Sequence, residues 1–272
     1  MEASSENRVI DVVCCSAGTI KTLVDSLKEI LVYGSLHFVP HDADGCGGKI
    51  RMAAVNPSCV AIVHLLLEGE SFSRFHVERE TAIGVNVMKL QKVVRAASAN
   101  DVLNLYVTEA EPNRLCLAFE NSKSRSRTLY KMSLLDVESA PSAIDPQTFT
   151  CTVSLPSVEF QKIIRDMHVL QAEQIEIKAV GDEAFVIRCD GDLCTRETIF
   201  EAGASSDFSI AAQEKREILF GVYDAHFLSA FSRCSALDPR VTVMMARDRP
   251  LMLEYSVAGL GKIRLLLSDI VN

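Results

Sequence analysis

One feature of the sequence restricts the fold more than any other: the same order of strand and helix patterns occurs twice. Each copy takes about 130 residues, which is a usual domain size. Each copy consists of a strand, a helix, several strands, a second helix and a final group of strands. The connections between strands are too short for regular parallel crossovers, so antiparallel sheets are expected. The sequence therefore predicts an α+β fold of two similar domains, each with antiparallel sheets and two helices.

A segment that combines prolines, small residues and acids separates the two copies. It covers residues 135–149 and has neither helical nor strand periodicity, as is typical of a linker. We therefore predict an N-terminal domain at 1–134, in which 1–8 are an extra leader, and a C-terminal domain at 150–272.

The second predicted helix carries the strongest chemical signal in the chain. Asn86 is a suitable N-cap, and apolar residues follow at helical spacing as far as Ala97. Lys89, Lys92 and Arg95 recur at every third position, which places them roughly opposite the apolar stripe. The other three helices are predicted at 18–31, 158–169 and 224–234.

Basic residues occur on the outer face of all four predicted helices, although the whole chain has a net charge of −8. The positions are Lys21, Lys28, Lys89, Lys92, Arg95, Lys162, Arg165 and Arg233, with His226 beside Arg233 on the fourth helix. A single face of this kind is ordinarily solvated surface. Four of them in an otherwise acidic chain indicate an anionic partner. Because no aromatic residues interleave with the cations, duplex phosphates are the expected target.

The composition excludes several classes of protein. With 48% apolar residues and no low-complexity tract, the chain can form full cores. No run reaches the roughly 18 apolar residues of a membrane span, and the polar start of the chain predicts no secretory signal. The nine cysteines are odd in number and form no CxxC pair. Reduced structural thiols in a reducing compartment are therefore expected.

No arrangement of residues predicts an active site. His37, His41, Asp42, Asp44 and Cys46 lie close in sequence, but their spacing fits neither a zinc site nor a calcium loop. No cysteine has the helix N-terminus or basic surroundings that would activate it as a nucleophile. We therefore expect no metal, no cofactor and no enzymatic activity.

Four segments, in matching order, resemble the proliferating cell nuclear antigen family, the trimeric sliding clamps of eukaryotic and archaeal DNA replication. They are RETAIGVNVMKLQKVVRAA, LLDVE, LPSVEFQKIIRDM and RPLMLEYSVAGLGKIRLLL, and the resemblance covers roughly residues 9–270. It implies a homotrimeric ring with the helices around double-stranded DNA. It also implies a role in DNA replication and repair, in which the ring tethers DNA polymerase and raises its processivity.

The resemblance assigns residues to two binding surfaces. The DNA-facing positions are Lys21, Lys28, Lys92, Arg95, Lys162, Arg165 and Arg233, with Lys89 as a compensating charge and with His226 and Thr22 at positions that are usually basic. A pocket for the peptides of DNA polymerase, clamp loader and other partners maps to Val55, Ile144, Pro250, Leu266, Leu267 and Ser268, with a further anchor left open among 140–142. The lysine that receives ubiquitin in the family aligns with Gly181, which puts that modification in doubt.

We expect the homotrimer to close through edge strands of neighbouring copies, since closure removes exposed edges. The strand at 126–131 should pair antiparallel with the strand at 196–201 of the next copy. The positions concerned are Arg127, Thr128 and Tyr130 on the first strand and Arg196, Thr198 and Ile199 on the second. Arg125, Arg127 and Lys131 would then face Glu197 and Glu201, so that charge pairing across the strands assists the contact.

Two other functions stay open at this point. One is an interaction scaffold with the same fold, of the checkpoint type that assembles as a heterotrimer, against which the basic helix faces argue. The other is a hydrolase, which would need a carboxylate or metal cluster that the sequence does not offer. A clamp is expected in the nucleus, or at the site of viral DNA replication if the source is viral.

Overall fold

In a computed structural model, the structure describes residues 7–42, 47–136, 149–203 and 205–270. Every strand pair with an assigned register in this part of the chain is antiparallel. Each half of the sequence contributes two α-helices. The predicted α+β fold of antiparallel sheets with two helices per domain is therefore confirmed.

The helices are α1 Ala17–Leu27, α2 Val87–Arg95, α3 Ser157–Val169 and α4 Ala225–Ser232. The strands of the first half are β1 Arg8–Cys14, β2 Tyr33–Val39, β3 Lys49–Val55, β4 Ala61–Glu68, β5 Arg74–Val77, β6 Thr81–Asn86, β7 Val102–Thr108, β8 Glu111–Asn121 and β9 Ser126–Ser133. Those of the second half are β10 Cys151–Pro156, β11 Gln174–Val180, β12 Ala184–Asp190, β13 Thr195–Glu201, β14 Ser209–Ala212, β15 Ile218–Asp224, β16 Arg240–Met245, β17 Leu251–Ser256 and β18 Gly261–Leu267.

Two helices end earlier than the sequence pattern predicts. The chain leaves α1 after Leu27 and continues in a turn, in which Leu31 N–H donates to Leu27 O and the Leu31 side chain enters the core. At the end of α4 the backbone tightens into a 3-10 turn, Arg233–Ala236. Arg233 therefore lies just beyond the α-helix rather than on it.

The chain forms two compact units, and each takes residues from both halves of the sequence. Unit 1 comprises Met1–Ala54, His64–Ala143 and Ser256–Lys262, and unit 2 comprises Val55–Val63, Ile144–Tyr255 and Ile263–Asn272. The exchanged segments are hairpin turns: the one between β3 and β4 belongs to unit 2, and the one between β17 and β18 to unit 1. No pattern in the sequence signalled this exchange. The division at 135–149 stays a prediction.

Particular residues shape both exchanged turns. In the first, the Asn56 side-chain oxygen accepts hydrogen bonds from the N–H groups of Val60 and Ala61, at 2.9 and 2.8 Å. In the second, Gly261 has a φ of +156° and lies against the backbone of Leu66. A Cβ at Gly261 would come within 2.1 Å of Leu66 O, so only glycine fits there.

Unit 1 encloses one apolar core between its helices and two groups of strands. The strand orders are β5-β1-β7-β8-β9 and β4-β3-β2-β6. α1 and α2 pack side by side. The core side chains include Ile20, Leu23, Val24, Phe38, Met52, Leu65, Val87, Val94, Leu115 and Leu117, all of them buried. Burial of this face, rather than intrinsic propensity, stabilises such short helices.

Unit 2 repeats this arrangement. Its strand orders are β14-β10-β16-β17-β18 and β13-β12-β11-β15, and α3 packs beside α4. The buried side chains include Phe160, Ile164, Met167, Ile177, Phe185, Leu228, Phe231, Val243 and Tyr255. Phe231 and Tyr255 meet edge to face with ring centroids 5.4 Å apart. The four-stranded group leaves β13 and β15 as its two edge strands.

Candidate functional site

The basic stripe on α2 is held in place at both ends of the helix. The Asn86 side chain accepts a hydrogen bond from Lys89 N–H at 2.8 Å, which confirms the predicted N-cap. Val87 and Val94 are buried on the opposite face. The backbone N–H of Ala96 closes the last turn by donating to Val93 O and Val94 O.

Lys89, Lys92 and Arg95 are all exposed on this helix. None of the three side chains makes a hydrogen bond or ion pair within the part of the chain that the structure describes. Their charges are therefore not neutralised by neighbouring acids. An exposed cationic stripe of this kind attracts phosphates without reading a base sequence.

The two lysines of α1 behave differently from the α2 stripe. Lys21 Nζ donates to Arg95 O at 3.2 Å and to Ala97 O at 3.5 Å, so this ammonium group lies on the carbonyl end of α2. That is the negative end of the helix dipole. Lys28 pairs with Glu29 at 3.5 Å. Both lysines are half-buried, and both already have a partner in the protein.

Unit 2 presents fewer free cations on its helices. Lys162 and Arg165 are exposed on α3, and neither pairs with any residue that the structure describes. Asp166, the acid that follows them, binds Arg196 of β13 at 3.0 Å. On α4, His226 is exposed, and its backbone N–H donates a hydrogen bond to the Asp224 side chain at 2.8 Å. Arg233 is exposed in the 3-10 turn.

The two strands predicted to pair between copies are both edge strands. β9 closes one end of its five-stranded sheet, and β13 closes one end of the four-stranded sheet. Arg127 and Thr128 are exposed, whereas Tyr130 turns inward and packs edge to face on Phe119, with centroids 5.9 Å apart. Ile199 is 55% exposed. Leu129, which the sequence patterns did not single out, is 44% exposed on the same edge. Successive side chains of a strand point to opposite faces, so an inward Tyr130 implies an outward Leu129.

Several charges on these edges already have partners. Arg127 pairs with Glu120 at 3.5 Å, and Lys131 pairs with Glu111. Arg196 donates to Ile163 O at 3.3 Å as well as binding Asp166, and Thr198 is half-buried. Arg196 therefore ties β13 to α3 within one chain. The cross-strand pairing with Glu197 and Glu201 of another copy stays a prediction.

A cavity of about 500 Å³ in unit 2 includes part of the predicted partner-peptide pocket. Pro250 and Ser268 line it. Val55 is 45% exposed but is not among the lining residues, and Leu266 and Leu267 are buried in the core. Ile144 lies outside the described residues. The sequence did not indicate the rest of the wall, which is formed by Ile218, Leu219, Phe220, Tyr223, Met245, Ala246, Arg247, Asp248, Arg249 and Asp269.

Two features of this wall are set by local geometry. Gly221 faces the Tyr223 side chain so closely that a Cβ would fall 2.2 Å from its hydroxyl oxygen. Burial, followed by the nearby Asp269 carboxylate, raises the pKa of Tyr223 well above its usual range, so the phenol stays neutral. The wall therefore combines a neutral phenol with exposed apolar and charged side chains.

The thiols and acids show no sign of a metal centre within the described residues, where no group of three or more His, Cys, Asp or Glu side chains is placed to hold an ion. Of the predicted crowded loop, Asp44 and Cys46 lie outside these residues. The eight described cysteines are free, and burial raises the pKa of Cys151 to about 11. None of the helices in the described ranges is long and apolar enough to cross a membrane.

Together, the repeated antiparallel fold and the basic helix faces define a two-domain protein whose helices can bind a polyanion. Two family models match the chain: the N-terminal domain of proliferating cell nuclear antigen over residues 10–141 and its C-terminal domain over residues 143–270. The chain belongs to the proliferating cell nuclear antigen family. Proteins of this family are non-enzymatic scaffolds.

Individual relatives match almost end to end. Proliferating cell nuclear antigen 2 of Drosophila melanogaster is 30% identical over 253 residues, which cover 93% of this chain and 94% of the relative. The probable DNA polymerase sliding clamp 1 of Paramecium bursaria Chlorella virus 1 is 26% identical over 270 residues, 98% and 99% of the two chains. Proliferating cell nuclear antigen of Chaetomium thermophilum is 29% identical over 257 residues, 93% and 94% of the two chains.

Proposed function

We propose that this chain is a DNA sliding clamp, a homotrimeric ring that encircles duplex DNA and tethers a DNA polymerase to it. The observation that carries the proposal is the unpaired basic stripe Lys89, Lys92 and Arg95, on a member of the proliferating cell nuclear antigen family. The ring would be formed by β9 of one copy and β13 of the next. Its helices would face the DNA.

The chemistry of the helix faces fits sliding rather than specific binding. Lysine and arginine side chains on a helix that crosses the phosphate backbone do not read base edges. Contacts with phosphates are exchangeable and are screened by salt. Affinity for a short linear duplex should therefore be low and independent of sequence, while retention on a closed circle should be topological.

The same proposal covers the partners and the place of action. DNA polymerase, the clamp loader and other enzymes would bind through peptides that carry an aliphatic residue and two adjacent aromatic residues. The pocket for these peptides would include Pro250 and Ser268. Tethering raises the local concentration of each enzyme at the primer end, which increases processivity. The protein would act in the nucleus or at a site of viral DNA replication.

Two measurements test the proposal. Light scattering of the purified chain should give the mass of a trimer, and a monomer at micromolar concentration would contradict a self-assembled ring. A monomer that trimerises only with other clamp-like chains would instead support a checkpoint-type scaffold. After loading, the ring should stay on nicked circular DNA in 0.5 M salt, which is about the range where phosphate contacts are screened, and should leave when the circle is cut.

A further inference from the structure

One wall of the cavity in unit 2 exposes more apolar surface than a single peptide side chain would cover. This wall is the edge strand β15, where Ile218 and Phe220 are 56% and 54% exposed. The same two residues border a second hollow of about 380 Å³ over the sheet, whose other lining residues are Glu176, Lys178, Val186, Arg188 and Glu197. Two large apolar side chains thus form a ridge between two hollows, at the end of a sheet.

The backbone of this ridge is open to a further strand. β15 pairs with β11 only on one side, and the N–H of Gly181 donates to Glu217 O on that side at 2.7 Å. On the other side, Val222 N–H donates to Asp269 Oδ1 at 3.1 Å, and Val222 O accepts from Ile270 N–H at 2.9 Å.

Backbone groups in an antiparallel strand alternate between the two sides. The backbone N–H and C=O of Val222 point away from β11. The backbone groups of Phe220 and Ile218, two and four residues earlier, therefore also point away from β11. No residue in the described ranges pairs with the backbone N–H or C=O groups of Phe220 and Ile218 on that side. An extended segment of another polypeptide can satisfy groups of this kind by adding a strand.

Two arginines lie at the rim of the same cavity. Arg247 and Arg249 are exposed in the turn between β16 and β17, and neither makes a hydrogen bond or ion pair with any described residue. Two acids also line the cavity: Asp248 lies between the arginines, and the Asp269 carboxylate already accepts the Val222 N–H. The formal charges of the lining are therefore balanced, and Arg247 and Arg249 are the lining side chains that can bind a carboxylate. Guanidinium groups favour carboxylate partners.

We propose that a partner peptide in this cavity continues as an extended, acidic segment that adds to the edge of β15, with an apolar side chain on the ridge of Ile218 and Phe220 and a carboxylate at Arg247 or Arg249. This inference rests on the proposed function, because Pro250 and Ser268 of the predicted peptide pocket line the same cavity. It assigns partner selection to residues outside that predicted pocket.

The first experiment measures the choice of peptide by the full-length protein. Three labelled peptides share a centre with one aliphatic and two adjacent aromatic residues, and their flanks on both sides carry alternating Val with Glu, Ala or Lys. Fluorescence anisotropy should show the Glu peptide binding about 3- to 10-fold more tightly than the Ala peptide, as expected for one or two exposed ion pairs. The Lys peptide should bind more weakly than the Ala peptide.

Variants assign that preference to the rim. Arg247→Glu with Arg249→Glu should reverse the order of affinity of the Glu and Lys peptides. Arg79→Glu, an exposed arginine of unit 1, is the matched control and should preserve the wild-type order. Equal affinity of wild-type protein for all three peptides would overturn the inference while leaving the proposed function intact. If the Ala peptide does not bind at all, both the inference and the predicted pocket fail.

Amide hydrogen exchange tests strand addition directly. Saturation with the Glu peptide should slow exchange at the Ile218 and Phe220 amides by about tenfold or more, since they gain backbone partners. A bound peptide that leaves both amides as fast as in the free protein would rule out strand addition. Protection in the free protein that rises with its concentration would show that a second copy occupies this edge, and would also overturn the inference.

Discussion

Units 1 and 2 share one architecture but expose different chemistry on it. The helices of unit 1 carry the unpaired stripe Lys89, Lys92 and Arg95, whereas those of unit 2 carry Lys162 and Arg165 as their unpaired cations among the residues described. Unit 2 in turn has the open edge and the cavity of β15. We therefore propose that attraction to a polyanion is concentrated in unit 1 and recognition of peptides in unit 2.

The five-stranded sheet of unit 1 and the four-stranded sheet of unit 2 also differ in the side chains that they present. On the five-stranded sheet of unit 1, Asp11 binds Arg8 at 3.0 Å and Arg74 at 3.2 Å, and Arg8 also covers the Tyr106 ring at 4.1 Å. The charges of Arg8, Asp11 and Arg74 are thus paired within the chain. On the four-stranded sheet of unit 2, the pairing register places Phe220, Lys178, Val186 and Ile199 in one row. A row with three apolar side chains can bury surface against a partner.

Charge reversal on the two helix pairs should give the largest difference between the units. Lys92→Glu with Arg95→Glu should abolish polymerase stimulation, because two free cations of the unpaired stripe become acids. Lys162→Glu with Arg165→Glu should weaken stimulation less, because the unit 2 helices contribute less attraction. Primer extension on a circular template, across a salt series, measures both effects. The salt dependence of DNA binding should fall by about one phosphate contact for each cation lost.

Light scattering is the control for both double variants, which should remain trimeric because these side chains lie opposite the packed faces. Equal loss of stimulation in the two variants would remove the proposed difference between the units. Full stimulation by the α2 variant would contradict the proposed function itself.

Alkaline pH should destabilise unit 2 before unit 1. Burial raises the pKa of Cys151 to about 11, and it also raises the pKa values of Cys189, Tyr223 and Tyr255, all in unit 2. In unit 1, burial raises the pKa of Cys14 and of Tyr106. These neutral groups stabilise the fold below their unfolded pKa values. Unfolding releases their protons at higher pH, so the free energy of unfolding falls as pH rises from about 9.

The window for Cys151 runs from about pH 9 to about pH 11, and its contribution is on the order of 2 kcal/mol. Hydrogen exchange at pH 9 and pH 10.5, corrected for the intrinsic rate, should show faster opening in β10 and β11 than in β7 and β8. Cys151→Ala should make the stability of unit 2 less dependent on pH. Uniform opening of both units would contradict this prediction.

Removal of the helix caps should lower stability by a smaller amount. Asn86→Ala removes the acceptor for Lys89 N–H, and Asp224→Ala removes the acceptor for His226 N–H. Each change should cost about 1 kcal/mol. Asn86→Ala should also weaken DNA binding, because fraying of the first turn displaces Lys89, whereas Asp224→Ala should leave DNA binding nearly unchanged. Denaturant unfolding and DNA titration measure the two effects separately.

The two lysines of α1 should show the smallest effect. Lys21→Ala removes the contacts with Arg95 O and Ala97 O and should cost about 0.5 kcal/mol, whereas Lys28→Ala loses one half-buried ion pair between adjacent residues and should cost less. Thermal unfolding of both variants at low salt compares the two losses of stability. Equal costs would indicate that Lys21 does not support the end of α2.

The parts of this molecule that sequence patterns predicted are those set by local spacing. The apolar stripe and the Asn86 cap of α2 depend on residues within one helix, and both are present in the structure. The use of Lys21 as a partner for α2 could not be predicted, because it joins residues more than 70 positions apart. The β15 wall was missed for the same reason. Phe220 lies in an alternating strand, and its exposure depends on which strand happens to end the sheet.

The predicted pocket shows this limit within a few residues. Resemblance placed Leu266, Leu267 and Ser268 together, but they do not share one environment. The side chain of Ser268 is exposed at the cavity, while Leu266 and Leu267 are buried. Matching a motif gives positions along the chain, whereas burial is decided by the neighbouring strands.

The exchange of hairpin turns between the units has a consequence for synthesis of the chain on the ribosome. Unit 1 includes Ser256–Lys262, so its last segment emerges only when nearly the whole chain has been made. At typical elongation rates, the first half must wait on the order of ten seconds in an incomplete state. During this interval the β4 edge lacks the Leu260 carbonyl that accepts Glu68 N–H in the finished protein. The nascent first half is thus the stage at which chaperones would be needed most.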